Sequence, residues 1–249
     1  MSTYNLENHE AFETLKNYGV FQNIVKNVME QNGVTRPNYC FQTFSELLSA
    51  GNNALAESLY KAIYCGNGET YRNMSDADKE EIEAIKNKIK GDIFEIFVMF
   101  ALQYFQTDCG VGVEQKTYMQ ITDDEDAGVD FRGIDYATSK KVFGQIKYRN
   151  PFATNGNEIA FARDNFTKLY GLSGAQFDFN PAEDYLMLVC NTPINNAMHY
   201  RLKNLIGWTG TMTDERHKYI KICDSNYFSS MIGYNNKRFW ESLAKEFEI

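Results

Sequence analysis

The chain contains few of the residues from which zinc and ATP sites are built. Its only histidines, His9, His199 and His217, are too widely spaced to form a ligand cluster. The five cysteines include no Cys-x-x-Cys pair, and their odd number is typical of reduced thiols in a cytoplasm. No Gly-x-x-x-x-Gly-Lys loop is present either. Zinc chemistry and a built-in ATP-driven motor are therefore not expected.

Signals of membrane targeting and an overall positive charge are also absent from the sequence. Residues 1–10 are polar and lack the basic and apolar regions of a secretory signal, and no segment is apolar enough to span a membrane. A net charge of −8 argues against a protein that coats nucleic acid through its overall field. We expect a cytoplasmic protein in which any contact with nucleic acid depends on local basic groups.

The pattern of apolar residues predicts one α/β domain preceded by a helical region. With 249 residues, of which 43% are hydrophobic, the chain can bury a substantial core. Helical spacing prevails in residues 1–74, and residues 75–249 alternate helical and strand patterns around an expected mixed central sheet. In the final third, Tyr185 to Cys190 predicts a buried strand, residues 219–222 an edge strand and residues 236–247 a helix.

One acidic residue lies inside an almost wholly apolar helix. Residues 93–102 are apolar nearly all round, which predicts a buried helix, and Glu95 is the exception. An ionised carboxylate in such a helix needs a partner or a metal ion. Glu95 is therefore a candidate ligand, although it could instead belong to a narrow polar stripe with Asp92 and Gln103.

Two short segments after this helix predict adjacent antiparallel strands. Residues 129–135 and 141–149 are separated by a stretch without helical periodicity, so a hairpin is the economical connection. Gln145 and Lys147 are two residues apart and share one face of their strand. The hairpin brings Asp130 beside Gln145, in a register that the turn sequence leaves open.

These residue types suit a magnesium ion beside a phosphodiester, because Mg²⁺ prefers oxygen ligands and keeps several waters. Asp130 would bind the ion directly, with the Gln145 amide oxygen and the Ile146 backbone carbonyl as further ligands. Glu95 would support the ion through water or at a second metal position. Lys147 would position the attacking water or stabilise charge developing on the phosphorane. Each residue alone could be an ordinary solvated side chain.

The order of these residues resembles the PD-(D/E)xK nuclease superfamily. Glu95, then Gly128-Val129-Asp130, then Gln145-Ile146-Lys147 is similar to its Mrr-like variety, in which glutamine stands in the second acidic position. The resemblance covers roughly residues 79–191. It implies a restriction-endonuclease-like core of the order α-β-β-β-α-β, with strands at residues 111–120, 129–135 and 141–149, a second helix at 162–171 and a last strand at 185–191.

The resemblance also implies a function, namely metal-dependent hydrolysis of DNA that leaves a 5′-phosphate. The expected protein is a Mg²⁺-dependent endodeoxyribonuclease, with Mn²⁺ as a possible substitute, of restriction type or from phage DNA processing. A structure-selective junction nuclease is one alternative. A noncatalytic DNA-binding or protein-interaction module is another, because Gln145 removes one anionic ligand from the site.

The expected partners are DNA, a second copy of the chain for double-strand cutting, and a separate helicase or methyltransferase. The best candidate DNA-binding surface is formed by basic residues around the hairpin and on the helix expected after it, although a solvated strand edge and helix face is equally compatible with them. These basic residues are Lys140, Lys141, Arg149, Arg163 and Lys168.

Overall fold

A computed structural model of the protein describes residues 19–30, 39–50, 74–113, 129–149, 180, 183–193 and 220–247. The helices of these ranges are α1 (Val20–Glu30), α2 (Phe41–Ala50), α3 (Asp76–Tyr104), α4 (Gln106–Cys109), α5 (Ser225–Ile232) and α6 (Lys237–Glu246). The strands are β1 (Val111–Val113), β2 (Phe131–Asp135), β3 (Lys141–Lys147), β4 (Tyr185–Cys190) and β5 (Ile220–Cys223).

The five strands form one mixed sheet in the order β1-β2-β3-β4-β5. β1, β2 and β3 are successive antiparallel neighbours, whereas β3, β4 and β5 run parallel to one another. The predicted α/β class, the hairpin and the edge strand β5 are thus confirmed. The helix expected at residues 162–171 lies outside the described residues.

The long helix α3 begins at a side-chain cap. The Asp78 amide donates to the Ser75 hydroxyl at 3.2 Å, which satisfies one of the free N–H groups of the first helical turn. The helix then continues without interruption through Gly91. From Ile93 to Leu102 every side chain is buried except that of Glu95, which is half-buried. The prediction of a buried apolar helix with one acidic residue is therefore confirmed.

The contacts divide the chain into two compact units, one of residues 1–97 with 232–249 and the other of residues 98–231. In the first unit, the Phe44 ring stacks on the Phe97 ring at 4.2 Å, and Trp240 is fully buried with its ring 5.8 Å from Phe97. The second unit contains the whole sheet. The expectation of a separate helical region at residues 1–74 stays a prediction.

Close packing fixes the register of the β2–β3 hairpin. Phe131 pairs with Gly144, and a Cβ atom on Gly144 would lie only 1.9 Å from the Phe131 ring. One strand further, a Cβ atom on Gly133 would lie 2.5 Å from the Gly112 carbonyl oxygen. Both positions therefore require glycine. The register that the turn sequence left open is set by an aromatic ring that covers a glycine.

Two simpler expectations concern cysteines and membrane segments. The cysteines of the described ranges, Cys40, Cys109, Cys190 and Cys223, are free. Burial raises the pKa of the Cys190 thiol to about 12, so this group stays protonated and unreactive at neutral pH. Among the helices described, none is long and apolar enough to cross a membrane.

Candidate active site

Polar residues gather at one edge of the sheet, where several strands end. Because β3, β4 and β5 are parallel, their carboxyl ends lie along the same edge, and the antiparallel β2 begins there. Asp130 immediately precedes β2, Lys147 ends β3 and Asn191 follows β4. Ligands of open α/β sheets usually bind outside the carboxyl ends of the strands. This edge of the sheet is therefore the candidate location of a functional site.

Asp130 is attached to β3 by two hydrogen bonds. Its amide donates to the Gly144 carbonyl at 2.8 Å, and its carboxylate accepts from the Ile146 amide. These two contacts lie on either side of Gln145 in the sequence of β3. The half-buried carboxylate is thus held beside Gln145, as the hairpin was expected to hold it.

The same contact orients the backbone of Ile146. In an extended strand the N–H and C=O of one residue point to the same side, so the Ile146 carbonyl points toward the side of β3 on which Asp130 lies. A carboxylate and a backbone carbonyl are therefore directed toward one region. Both are the oxygen ligands that a hard cation prefers.

Gln145 contributes the most unusual atom of this edge. Its side chain is only 2% exposed, and its amide oxygen Oε1 is buried without a hydrogen-bond donor among the described residues. Leaving a buried acceptor unsatisfied costs about 1–3 kcal/mol, so such atoms need an explanation. A cation bound at this oxygen would provide one.

Lys147 lies two residues beyond Gln145 and projects from the same face of β3. It is half-buried, and within the described ranges its ammonium makes no hydrogen bond or ion pair. A positive charge of this kind beside a buried amide and a carboxylate can meet an anionic ligand such as a phosphate group.

Asn191 is a residue of this edge to which the sequence assigned no role. Its amide oxygen accepts from the Arg149 amide at 2.6 Å, and its amide nitrogen donates to the Arg149 carbonyl at 2.6 Å. The buried side chain thereby extends the β3–β4 pairing past Lys147 and fixes the chain that follows it. The signal available in the sequence was a polar residue directly after a buried parallel strand.

Another acid of the same edge has a structural function. Asp224 follows β5, and its carboxylate oxygen accepts from the backbone amides of Asn226 and Tyr227, each at 3.0 Å. These contacts cap the first turn of α5. The role of Asp224 is therefore that of a helix cap.

The chemistry of the available donors fits magnesium better than zinc. The described residues contain no group of three His, Cys, Asp or Glu side chains that could hold a metal ion. A metal here would depend on the Asp130 carboxylate with the Gln145 amide oxygen and the Ile146 carbonyl. Glu95 belongs to the first compact unit and the other candidates to the second, so the part of Glu95 in the site stays a prediction.

The predicted basic surface extends along the length of β3. At about 3.3 Å per residue, Lys141 and Lys147 are about 20 Å apart, so Lys140 and Lys141 flank the hairpin turn while Arg149 lies near the candidate site. Arg163 and Lys168 fall outside the described residues. Lys140 and Lys141 therefore lie at the opposite end of β3 from Arg149.

Comparison with known proteins adds no assignment. A scan against protein-family models and searches of curated proteins and of solved structures found no match to the chain.

Proposed function

We propose that the chain is a Mg²⁺-dependent endodeoxyribonuclease of restriction type, built on a restriction-endonuclease-like core of the PD-(D/E)xK superfamily. The observation that supports this proposal most directly is the buried Gln145 amide oxygen, which lacks a donor among the described residues and is bracketed by the two contacts of Asp130. A cationic side chain two residues further along the same face adds the second element that phosphoryl chemistry needs.

Each residue has a distinct part in the proposed reaction. Asp130 and Gln145 would hold the ion with the Ile146 carbonyl, and the Ile146 amide keeps the Asp130 carboxylate oriented. When bound, the ion supplies Lewis-acid activation of water and neutralises charge on the phosphate. Lys147 would donate to the attacked phosphate and stabilise the negative charge that develops there.

Plasmid cleavage by the purified full chain tests the proposal. Supercoiled DNA is incubated with Mg²⁺ or Mn²⁺ beside an EDTA control, and nicked and linear products are separated on a gel. Cleavage is expected with either metal and not with EDTA. Asp130→Ala should abolish it, whereas Asp108→Ala, which removes an exposed aspartate of α4, should leave it intact.

Two outcomes would redirect the proposal. If the folded chain binds DNA but leaves it intact with every divalent metal, the noncatalytic module gains support, since Gln145 supplies no negative charge to the ion. If branched DNA is cut and linear and supercoiled DNA are not, a junction nuclease is favoured. Cleavage without ATP would count against an obligatory helicase partner.

A further inference from the structure

The face of the hairpin that carries Gln145 also carries an arginine without an assigned role. In the β2–β3 register Arg132 pairs with Phe143, and paired residues project from the same face of a sheet. Phe143, Gln145 and Lys147 alternate along β3 and therefore share that face. Arg132 consequently lies on the same face as the candidate site, two residues after Asp130.

A groove lies beside the hairpin turn, between the candidate site and the turn residue Ser139. It has a volume of about 320 Å³ and is lined by Arg132, Lys141, Ser139 and Phe143 with neighbouring strand residues. Ile134, which pairs with Lys141 and also lines the groove, is 40% exposed, so the groove is open to solvent at this end. The described residues that line it include two cations and no acid.

The distance along β3 from the candidate site to the groove is long enough for several phosphates of one DNA strand. Lys141 lies four residues from Gln145 on the same face, which is about 13 Å at 3.3 Å per residue. One DNA strand carries a phosphate for every 3.4 Å or so of its helix axis. A strand cleaved beside Gln145 would therefore present several phosphates within reach of Arg132 and Lys141.

We propose that this groove binds the DNA backbone on one side of the cleaved bond, with Arg132 as the contact nearest the candidate site and Lys141 as the next. The proposal rests on the proposed nuclease function and names the path of its substrate. It assigns a role to Arg132, which sequence reasoning missed because only the register shows which face this residue occupies.

Salt dependence of DNA binding tests the groove independently of cleavage. The affinity of the full chain for a labelled duplex is measured in EDTA over a series of salt concentrations. The slope of log K against log salt is negative, and each lost phosphate contact should reduce its magnitude by about 0.9. This change corresponds to roughly eightfold weaker binding at 0.1 M salt. Arg132→Ala and Lys141→Ala should each show this change, and the double variant about twice the change in slope.

Matched controls separate the groove from general charge effects. Arg238→Ala and Lys237→Ala remove exposed cations of α6 and should leave the slope unchanged. Because Lys141 is exposed, its variant should fold normally, and thermal unfolding checks this for both variants. Arg132→Lys should retain most of the slope, since it keeps the charge.

Several results would overturn the groove assignment. A wild-type slope near zero would do so, as would unchanged slopes in both groove variants, or Arg132-dependent binding of single-stranded RNA without binding of duplex DNA. Normal groove behaviour with no cleavage under any metal would instead contradict the nuclease proposal and leave the groove standing as a DNA-binding surface.

Discussion

An aspartate lies at each end of β2, and the surroundings of the two carboxylates differ sharply. Asp135, at the end of the strand, is 4% exposed and accepts from the Thr138 amide at 3.0 Å, from the Thr138 hydroxyl at 2.9 Å and from the Lys221 ammonium. Asp130, just before the strand, is half-buried and accepts from the Ile146 amide. Beside Asp130 lies an amide oxygen of Gln145 that no described donor reaches.

The comparison separates a polar cluster that supports the fold from one that is suited to a ligand. The Lys221 ammonium is bound to Asp135 and also lies 4.8 Å from the centre of the Tyr185 ring, so its charge is used within the protein. Lys147 makes no such contact within the described ranges. Buried polar groups are normally satisfied, so an unsatisfied one needs an explanation.

Exchanging the two lysines for methionine should give opposite results. Lys147→Met should lower the rate of plasmid cleavage by at least about 100-fold, the usual effect of removing a group that stabilises transition-state charge. The free energy of unfolding of the Lys147→Met protein should be unchanged, because the Lys147 ammonium makes no hydrogen bond or ion pair with another described residue. The measurement is a cleavage time course at saturating DNA, with Lys237→Met as a control of equal charge change. Full activity in Lys147→Met would remove this residue from the reaction.

Lys221→Met should instead reduce stability. It leaves the Asp135 carboxylate buried without its cation, and we expect a loss of about 2 kcal/mol in the free energy of unfolding, because Lys221 itself is partly exposed. Urea denaturation followed by circular dichroism measures this loss. Cleavage by the folded variant at low temperature should persist, since Lys221 belongs neither to the candidate site nor to the groove. A Lys221→Met protein that is as stable as the wild type but inactive would show that Lys221 takes part in the reaction and does not stabilise the fold.

The elements that could be predicted from the sequence are those with a local periodic pattern of apolar residues. The apolar helix around Glu95, the buried strand β4, the edge strand β5 and the last helix were predicted because spacings of 2 and 3.6 residues are readable within a short window. The order of Asp130, Gln145 and Lys147 along adjacent strands was readable for the same reason.

Contacts between distant residues were not readable. Asn191 binds Arg149 across 42 residues, and the Phe131 ring chooses the hairpin register by covering Gly144, for which the turn carries no signal. The helix α5 was not predicted either. Whether a buried amide oxygen has a donor depends on every neighbour of the fold, so no pattern in one strand could show it.

Asn191→Ala should identify a positioning residue. Loss of its two hydrogen bonds frees the chain after Lys147, and a small displacement of a catalytic group lowers the rate about 10-fold or more. We expect a lower kcat with little change in KM, and partial recovery in Asn191→Asp, which keeps the acceptor for the Arg149 amide. Equal activity of all three proteins in steady-state assays would show that this contact is only structural.

The buried amide of Gln145 predicts a metal-dependent change in stability. In EDTA, Gln145→Leu should be as stable as the wild type or about 1 kcal/mol more stable, because it removes an unsatisfied acceptor of similar volume. Added Mg²⁺ should raise the Tm of the wild type in proportion to the logarithm of its concentration and leave Gln145→Leu unaffected. An Mg²⁺ response that is equal in both proteins would place the ion elsewhere.

The smallest expected effect is the acid sensitivity of the Asp135 end. Burial alone would raise the pKa of this carboxyl, but its bonds to Lys221 and Thr138 outweigh burial and hold the pKa below the ordinary 3.8. The unfolded chain therefore binds a proton at a higher pH than the folded chain does. The resulting stabilisation is fully present above pH 3.8 and is lost as pH falls through the lower folded value. Asp135→Asn should flatten this part of the curve of unfolding free energy against pH, as measured by urea denaturation over a pH series. An unchanged slope in Asp135→Asn would mean that the bonds of Asp135 to Lys221 and Thr138 do not stabilise the folded state. The two ends of β2 would then no longer differ in their contribution to stability.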